Sequence, residues 1–274
     1  MLRMETATGW WLITHPDHAR LAGAFATAWG NTEFRRPEPR ARVLKGIACH
    51  DDGWTVRDAH PSITREGKPS AFSSELVGAY SAFEEIDLAE YLAVRDRAVR
   101  IIAEEDPYAG LLISMHTYNL LTAHADRSTI APGGLELLDG FLEKQRAYQG
   151  QLRTAIAADG SLTADEKDEQ TILEHFRLLQ ACDNLSLLTC VAFASPAHLL
   201  HPLPLHGGGT TEVKVTPIGV REFRLSPWPF GERELTFHFP ARHVDGKTFA
   251  SSAKLENAFA GAKVEELTVR LTSD

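Results

Sequence analysis

Ala48-Cys49-His50-Asp51-Asp52-Gly53-Trp54 closes the second helical stretch of the chain, which is expected over about residues 40 to 51 and breaks at Asp52-Gly53. Residues three, four and seven apart on a helix share a face. His50 therefore lies on the apolar side of this helix, with Val43, Gly46 and Ile47. Asp51 follows about 100° further round, so both side chains can reach one ion at the helix end. The same test finds three more polar side chains where a helix should be apolar. His18 shares its face with Leu21, Ala22, Phe25 and Trp29. His116 lies among Ala109, Leu112, Ile113, Leu120 and Ala123, and Asp183 among Phe176, Leu179, Leu187 and Cys190. Four separate helices thus each carry a ligand-type side chain in an apolar stripe. A carboxylate buried without a partner costs several kcal/mol, so Asp51 and Asp183 need a cation or a good donor. Imidazoles and carboxylates together suit a borderline divalent ion: Fe, Mn, Ni, Co or Zn.

Outward from this segment the chain reads mostly as helix. Gly9-Trp10-Trp11-Leu12-Ile13 is a short strand, and Thr14-His15-Pro16-Asp17 starts a helix, with Thr14 as N-cap and Pro16 in the first turn. That helix runs to about Trp29 and stops at Gly30-Asn31. Helical patterns return at about 87 to 105, 107 to 125, 134 to 158 and 163 to 194, punctuated by Asp106-Pro107, Pro132-Gly133-Gly134 and Asp159-Gly160. After Ser195-Pro196 comes a connector rich in proline and glycine, including Gly207-Gly208-Gly209. Alternating runs follow at 212 to 215, 220 to 225, 234 to 239 and 264 to 269, the period-two signature of strands. The pattern predicts a helical metal-binding domain over 1–195 and a small β-rich appendage over 196–274.

Composition narrows the function. The 274 residues are 43% hydrophobic and 24% charged, which excludes a disordered chain. The net charge of -9 leaves no basic excess, so no nucleic-acid partner is expected. Cys49, Cys182 and Cys190 form no CxxC, which argues against both a disulfide framework and a zinc-thiolate site and points to a reducing cytoplasm. No apolar run reaches the length of a membrane span, and the first residues lack a signal peptide's apolar core, so no membrane partner is expected.

The order His18, then His50-Asp51, then Asp183 resembles the HD-domain superfamily of metal-dependent phosphohydrolases. The segments at 48–54 and at Ala181-Cys182-Asp183-Asn184-Leu185-Ser186 carry that likeness. Several stretches together are similar to an uncharacterised bacterial domain family of unknown function. These are Trp11 to His18, His50-Asp51, Asp106-Pro107-Tyr108-Ala109, Ser114-Met115-His116 and Leu178 to Asp183. The resemblance implies a mainly α, HD-type helical fold with a short N-terminal strand and a C-terminal antiparallel β appendage. It implies His18, His50, Asp51 and Asp183 as metal ligands, with His116 added if a second ion binds, and Asp51 also orienting the attacking water. The substrate implied is a small phosphorylated molecule, a phosphate ester or nucleotide. His15, Arg20 and Lys45 are secondary candidates for substrate contact, although a solvated helix face also explains Arg20 and Lys45. Two alternatives stay open. A di-iron oxygenase of the same superfamily needs one more histidine, and only His124 and His175 stand near. Each is eight residues from His116 or Asp183, about 12 Å along a helix. A non-enzymatic sensor or partner-binding module would use the metal structurally. The oligomeric state is open too, with a homodimer among the options.

Overall fold

The computed structural model describes residues 1–79 and 87–273. Two strands open the chain, β1 (Leu2–Glu5) and β2 (Gly9–Ile13). Thr14 then caps α1 (His15–Ala28), its side chain accepting from the Asp17 amide as the sequence predicts. Next come α2 (Arg40–Ala48), a 3-10 turn at Asp52–Trp54 and the short α3 (Thr55–Asp58). α4 (Leu88–Glu105) and α5 (Pro107–Ala123) meet at Asp106, whose carboxylate accepts from the amides of Tyr108 and Ala109 and so starts α5 where α4 stops. α6 (Pro132–Ala158), α7 (Ala164–Lys167) and α8 (Glu169–Cys190) complete the helical body. The remainder holds β3 (Ala197–His198), β4 (Leu203–Pro204), β5 (Thr210–Thr211), β6 (Lys214–Gly219), β7 (Glu222–Ser226), β8 (Glu234–Asp245), α9 (Ser252–Gly261) and β9 (Val264–Thr272).

The strands overturn the expectation of a mainly helical, HD-type domain with a small appendage. About 50% of the chain is helix and 21% is strand, so neither element is accessory and the fold is α+β. Seven strands form one sheet in the order β1-β2-β8-β9-β7-β6-β3, while β4 and β5 pair separately. All neighbours in the large sheet are antiparallel except β7 and β9. The N-terminal hairpin is bound directly to a late strand, from Gly9 opposite Asp245 to Leu12 opposite Arg242. Phe239 and Ala241 on β8 and Val269 and Leu271 on β9 are buried in the same core as Leu21 and Phe25 of α1 and Leu179 and Leu185 of α8. The Phe25 ring meets Phe237 edge-on at 4.8 Å. Period-two alternation shows that a strand buries one face; it cannot say that the covering layer is a helix over 200 residues earlier.

Two glycines bring the helices close. A Cβ on Gly23 of α1 would lie 2.6 Å from the Ala48 side chain at the end of α2. One on Gly53 would lie 2.3 Å from the Val94 carbonyl and 2.8 Å from the Ala98 amide of α4. The α2 helix also ends at Ala48 instead of 51, so His50 and Asp51 sit in the turn beyond its C-cap, Cys49. That turn, pressed onto α4, aims both side chains inward.

Candidate metal centre

His18 comes from the middle of α1, His50 and Asp51 from the turn after α2, His116 from α5 and Asp183 from α8. The fold brings all five together, each 6% exposed or less. His18 Nε2 is 3.1 Å from Asp51 Oδ2, and His50 Nε2 is 3.3 Å from Asp183 Oδ1 and 3.8 Å from Asp51 Oδ2. His116 Nε2 is 3.9 Å from Asp183 Oδ2. Two overlapping triads have ligand atoms within 4.8 Å of one another: His18, His50 and Asp51, and His50, His116 and Asp183.

Hydrogen bonds set which ring nitrogens are free. The His50 Nδ1 lies 2.7 Å from the Ile47 carbonyl, which only accepts, so Nδ1 carries the proton. Its Nε2 is buried and makes no hydrogen bond, the contact to Asp183 being badly angled for one. The Ser186 hydroxyl donates to the Asp183 carbonyl at 2.8 Å, which leaves it to accept from His18 Nδ1 at 2.9 Å. The other nitrogen of a neutral His18 then points its lone pair at Asp51 Oδ2. Lone pairs of imidazole and carboxylate opposed at 3.1 to 3.3 Å repel unless a cation lies among them.

The electrostatics agree. Burial alone would lower His50, but the charges of Asp51 and Asp183 outweigh it and push the ring up to about 9, so without a metal a proton stands in for the cation. Burial likewise disfavours a charged Asp183, yet the His50 ring 3.3 Å away and the other surrounding imidazoles hold it down at about 2. Asp51, in the same way, is held well below the ordinary carboxylate range against its burial, chiefly by Arg95 and His50. Burial pushes His116 down to about 3, leaving a neutral ring. Atoms that share one ion at about 2.1 Å stand about 3.0 Å apart at right angles and about 3.4 Å apart at tetrahedral angles. The contacts of 3.1 and 3.3 Å fit that spacing, and those of 3.8 and 3.9 Å correspond to wider angles at the ion. These buried His and Asp groups could hold a metal ion.

The other expected residues lie elsewhere. Lys45 Nζ is tied to Glu105 at 2.6 Å, and Arg20 to Asp52 at 2.8 Å and to the Ala48 carbonyl, all on the outer side. His15, a candidate for substrate contact, is mostly covered. It stacks on Trp54 with ring centroids 4.2 Å apart, and its Nδ1 is 3.0 Å from Asp58. His175 is bonded to the Tyr108 hydroxyl at 2.8 Å, and His124 is the C-cap of α5.

Sequence reasoning missed Arg95 of α4. It is 7% exposed, donates to Asp51 Oδ1 at 2.6 Å, and its guanidinium lies 5.2 Å from the centre of the Trp54 ring and 5.3 Å from that of Tyr91. The signal was there: Arg95 shares its face with Tyr91, Leu92, Ala98, Val99 and Ile102, the same anomaly that singles out the histidines. Ser186, three residues beyond Asp183, carried no such mark, because a serine in an apolar stripe is common.

Fold and site together define an α+β protein with a buried three-histidine, two-aspartate centre able to hold a metal ion. Over residues 1–246 the chain matches the family described as "Protein of unknown function (DUF3891)", and it belongs to that family. The resemblance to an uncharacterised family is thereby borne out, and the family's description names neither an HD domain nor an activity. No curated protein and no solved structure matches the chain. Among the described residues, no helix is long and apolar enough to cross a membrane.

Proposed function

We propose that this chain is a metal-dependent hydrolase whose first substrate class to test is the phosphate ester. One observation carries the reading: the donor set is histidine and aspartate without cysteine, with imidazole lone pairs facing carboxylate oxygens inside the helical body. Structural zinc sites are built mostly from thiolates, whereas catalytic sites favour histidine and carboxylate. His18, His50, Asp51, His116 and Asp183 would hold the ion. When bound, the ion supplies a Lewis acid for a phosphoryl oxygen and lowers the pKa of water to near neutrality. The chain's own part is orientation. The Ile47 carbonyl and Ser186 fix two rings so that a free nitrogen faces inward, and Arg95 anchors Asp51. Lys45 and Arg20 pair with acids on the outer side, and the reading does not depend on them.

A second reading, a metal held for structure in a sensor or binding module, draws on the near-complete burial of all five ligands. The oxygenase alternative lacks its extra histidine, since His175 is engaged with Tyr108. The test is metal analysis of protein purified without chelators, followed by hydrolysis of p-nitrophenyl phosphate and bis(p-nitrophenyl) phosphate with Mn, Fe, Co, Ni or Zn added. Metal-dependent turnover lost in Asp183→Asn supports the hydrolase. Bound metal that raises the unfolding midpoint but turns over neither substrate supports the structural reading. Absence of metal, with no thermal shift on adding any of the five ions, removes both.

A further inference from the structure

Asp51 has two oxygens, and they face different partners. Oδ2 faces the imidazoles of His18 and His50, while Oδ1 accepts from Arg95 Nη1 at 2.6 Å inside the protein. A carboxylate that bridges two metal ions commonly gives one oxygen to each. Here the second oxygen already holds a guanidinium, fixed in turn by Tyr91, whose hydroxyl accepts from Arg95 Nε at 3.2 Å, and packed against the Trp54 ring. The other possible bridge fails as well. The two triads overlap at His50, whose Nδ1 is committed to the Ile47 carbonyl. Its one free nitrogen has one lone pair and can serve one ion. Through His50 the two triads can therefore share only one ion.

Resting on the metal reading above, we propose that Arg95 takes the place of a second metal ion on Asp51, making this a centre for one ion per chain. Arg95 is a positioning residue: it keeps Asp51 a terminal ligand through Oδ2 and supplies the counter-charge while the site is empty. Two carboxylates, one guanidinium and imidazoles that are neutral once His50 gives up its proton to ligate sum to −1 apart from the metal. A divalent ion brings this to +1, which suits an anionic ligand. The guanidinium also repels the ion it sits behind, so its removal should tighten ion binding while weakening the metal-free protein.

The experiment titrates chelator-stripped wild type, Arg95→Lys and Arg95→Gln with Mn(II), reading stoichiometry, affinity, the electron paramagnetic resonance spectrum and the unfolding midpoint with and without the ion. Wild type should bind one Mn(II) with an uncoupled six-line spectrum. Arg95→Lys, which keeps the charge, should bind one ion within about threefold of the wild-type affinity. Arg95→Gln should bind its ion roughly tenfold more tightly. Its midpoint should fall without metal and recover in large part with it. Two ions with an exchange-coupled spectrum in wild type would overturn the proposal. So would equal losses of midpoint with and without metal in Arg95→Gln at unchanged affinity, since Arg95 would then only pack between Trp54 and Tyr91. No Mn(II) bound by wild type, nor any of the other ions, would instead remove the metal reading itself, and this inference with it.

Discussion

Asp183 tests the centre most sharply, because it faces His50 through one oxygen and His116 through the other. Asp183→Asn keeps the shape but removes the charge that offsets an ion. It should lower metal affinity by at least about tenfold and leave helix content unchanged in circular dichroism; unaltered metal binding would take Asp183 out of the site. A second residue-scale prediction lies away from the centre. Burial holds His175 down to about 4, so it stays neutral in the folded chain beside Tyr108. Unfolded, it titrates near 6.5, and the unfolded state therefore takes up the proton first. The stability that neutral His175 contributes is complete above pH 6.5 and is lost as pH falls toward 4, amounting to roughly 3 kcal/mol. Denaturant midpoints measured across that window should drop steeply in wild type and less so in His175→Gln. At this scale the sequence was legible wherever an ionisable side chain interrupted an apolar stripe. His18, His116 and Asp183 show it on helices, and Arg95 satisfies the same rule.

At the scale of elements, the site depends on one turn. The 3-10 turn at Asp52–Trp54 lies against α4 because Gly53 has no side chain to hold them apart. Gly53→Ala would drive a methyl group into the Val94 carbonyl and the Ala98 amide. The turn should lift from α4 at a cost of about 1–3 kcal/mol and carry His50 and Asp51 away from His18 and Asp183. Isothermal titration with Mn(II) should then show weakened binding, whereas wild-type affinity in Gly53→Ala would mean the turn does not position the ligands. Helix starts were easy to read here, since Thr14 and Asp106 act as caps through their own side chains. The end of α2 was not. Val43 and Ile47 continue the apolar spacing up to His50, yet the backbone leaves the helix at Cys49 because the following residues satisfy their amides in a turn.

For the molecule as a whole, the question is what covers α1. Its apolar side meets β8, and β8 in turn completes the pairing of β2. A chain ending at Ala194 would leave β2 without that neighbour and bare the face around Phe25. It should aggregate or bind hydrophobic dyes, while the full chain should not. A soluble, helical, cooperatively unfolding fragment would instead establish 1–195 as a domain in its own right. The change in pattern near residue 195 is real, since it falls between α8 and β3, but the large sheet spans it.

Local order explains what could be read in advance. Helical periodicity, caps and alternation each involve residues within one or two turns of each other, and these mark most helices, the later strands and the five polar side chains of the centre. Convergence is a different kind of fact. That His18 Nε2 stands 3.1 Å from Asp51 while Arg95 takes the carboxylate's other oxygen depends on three elements packing at set distances. The sheet shows the same limit. β2 and β8 pair across more than 220 residues, and nothing in either strand's alternation names its partner, because backbone hydrogen bonds are the same for every sequence. Packing of the helix layer on the sheet selects that pairing, and with it the α+β fold.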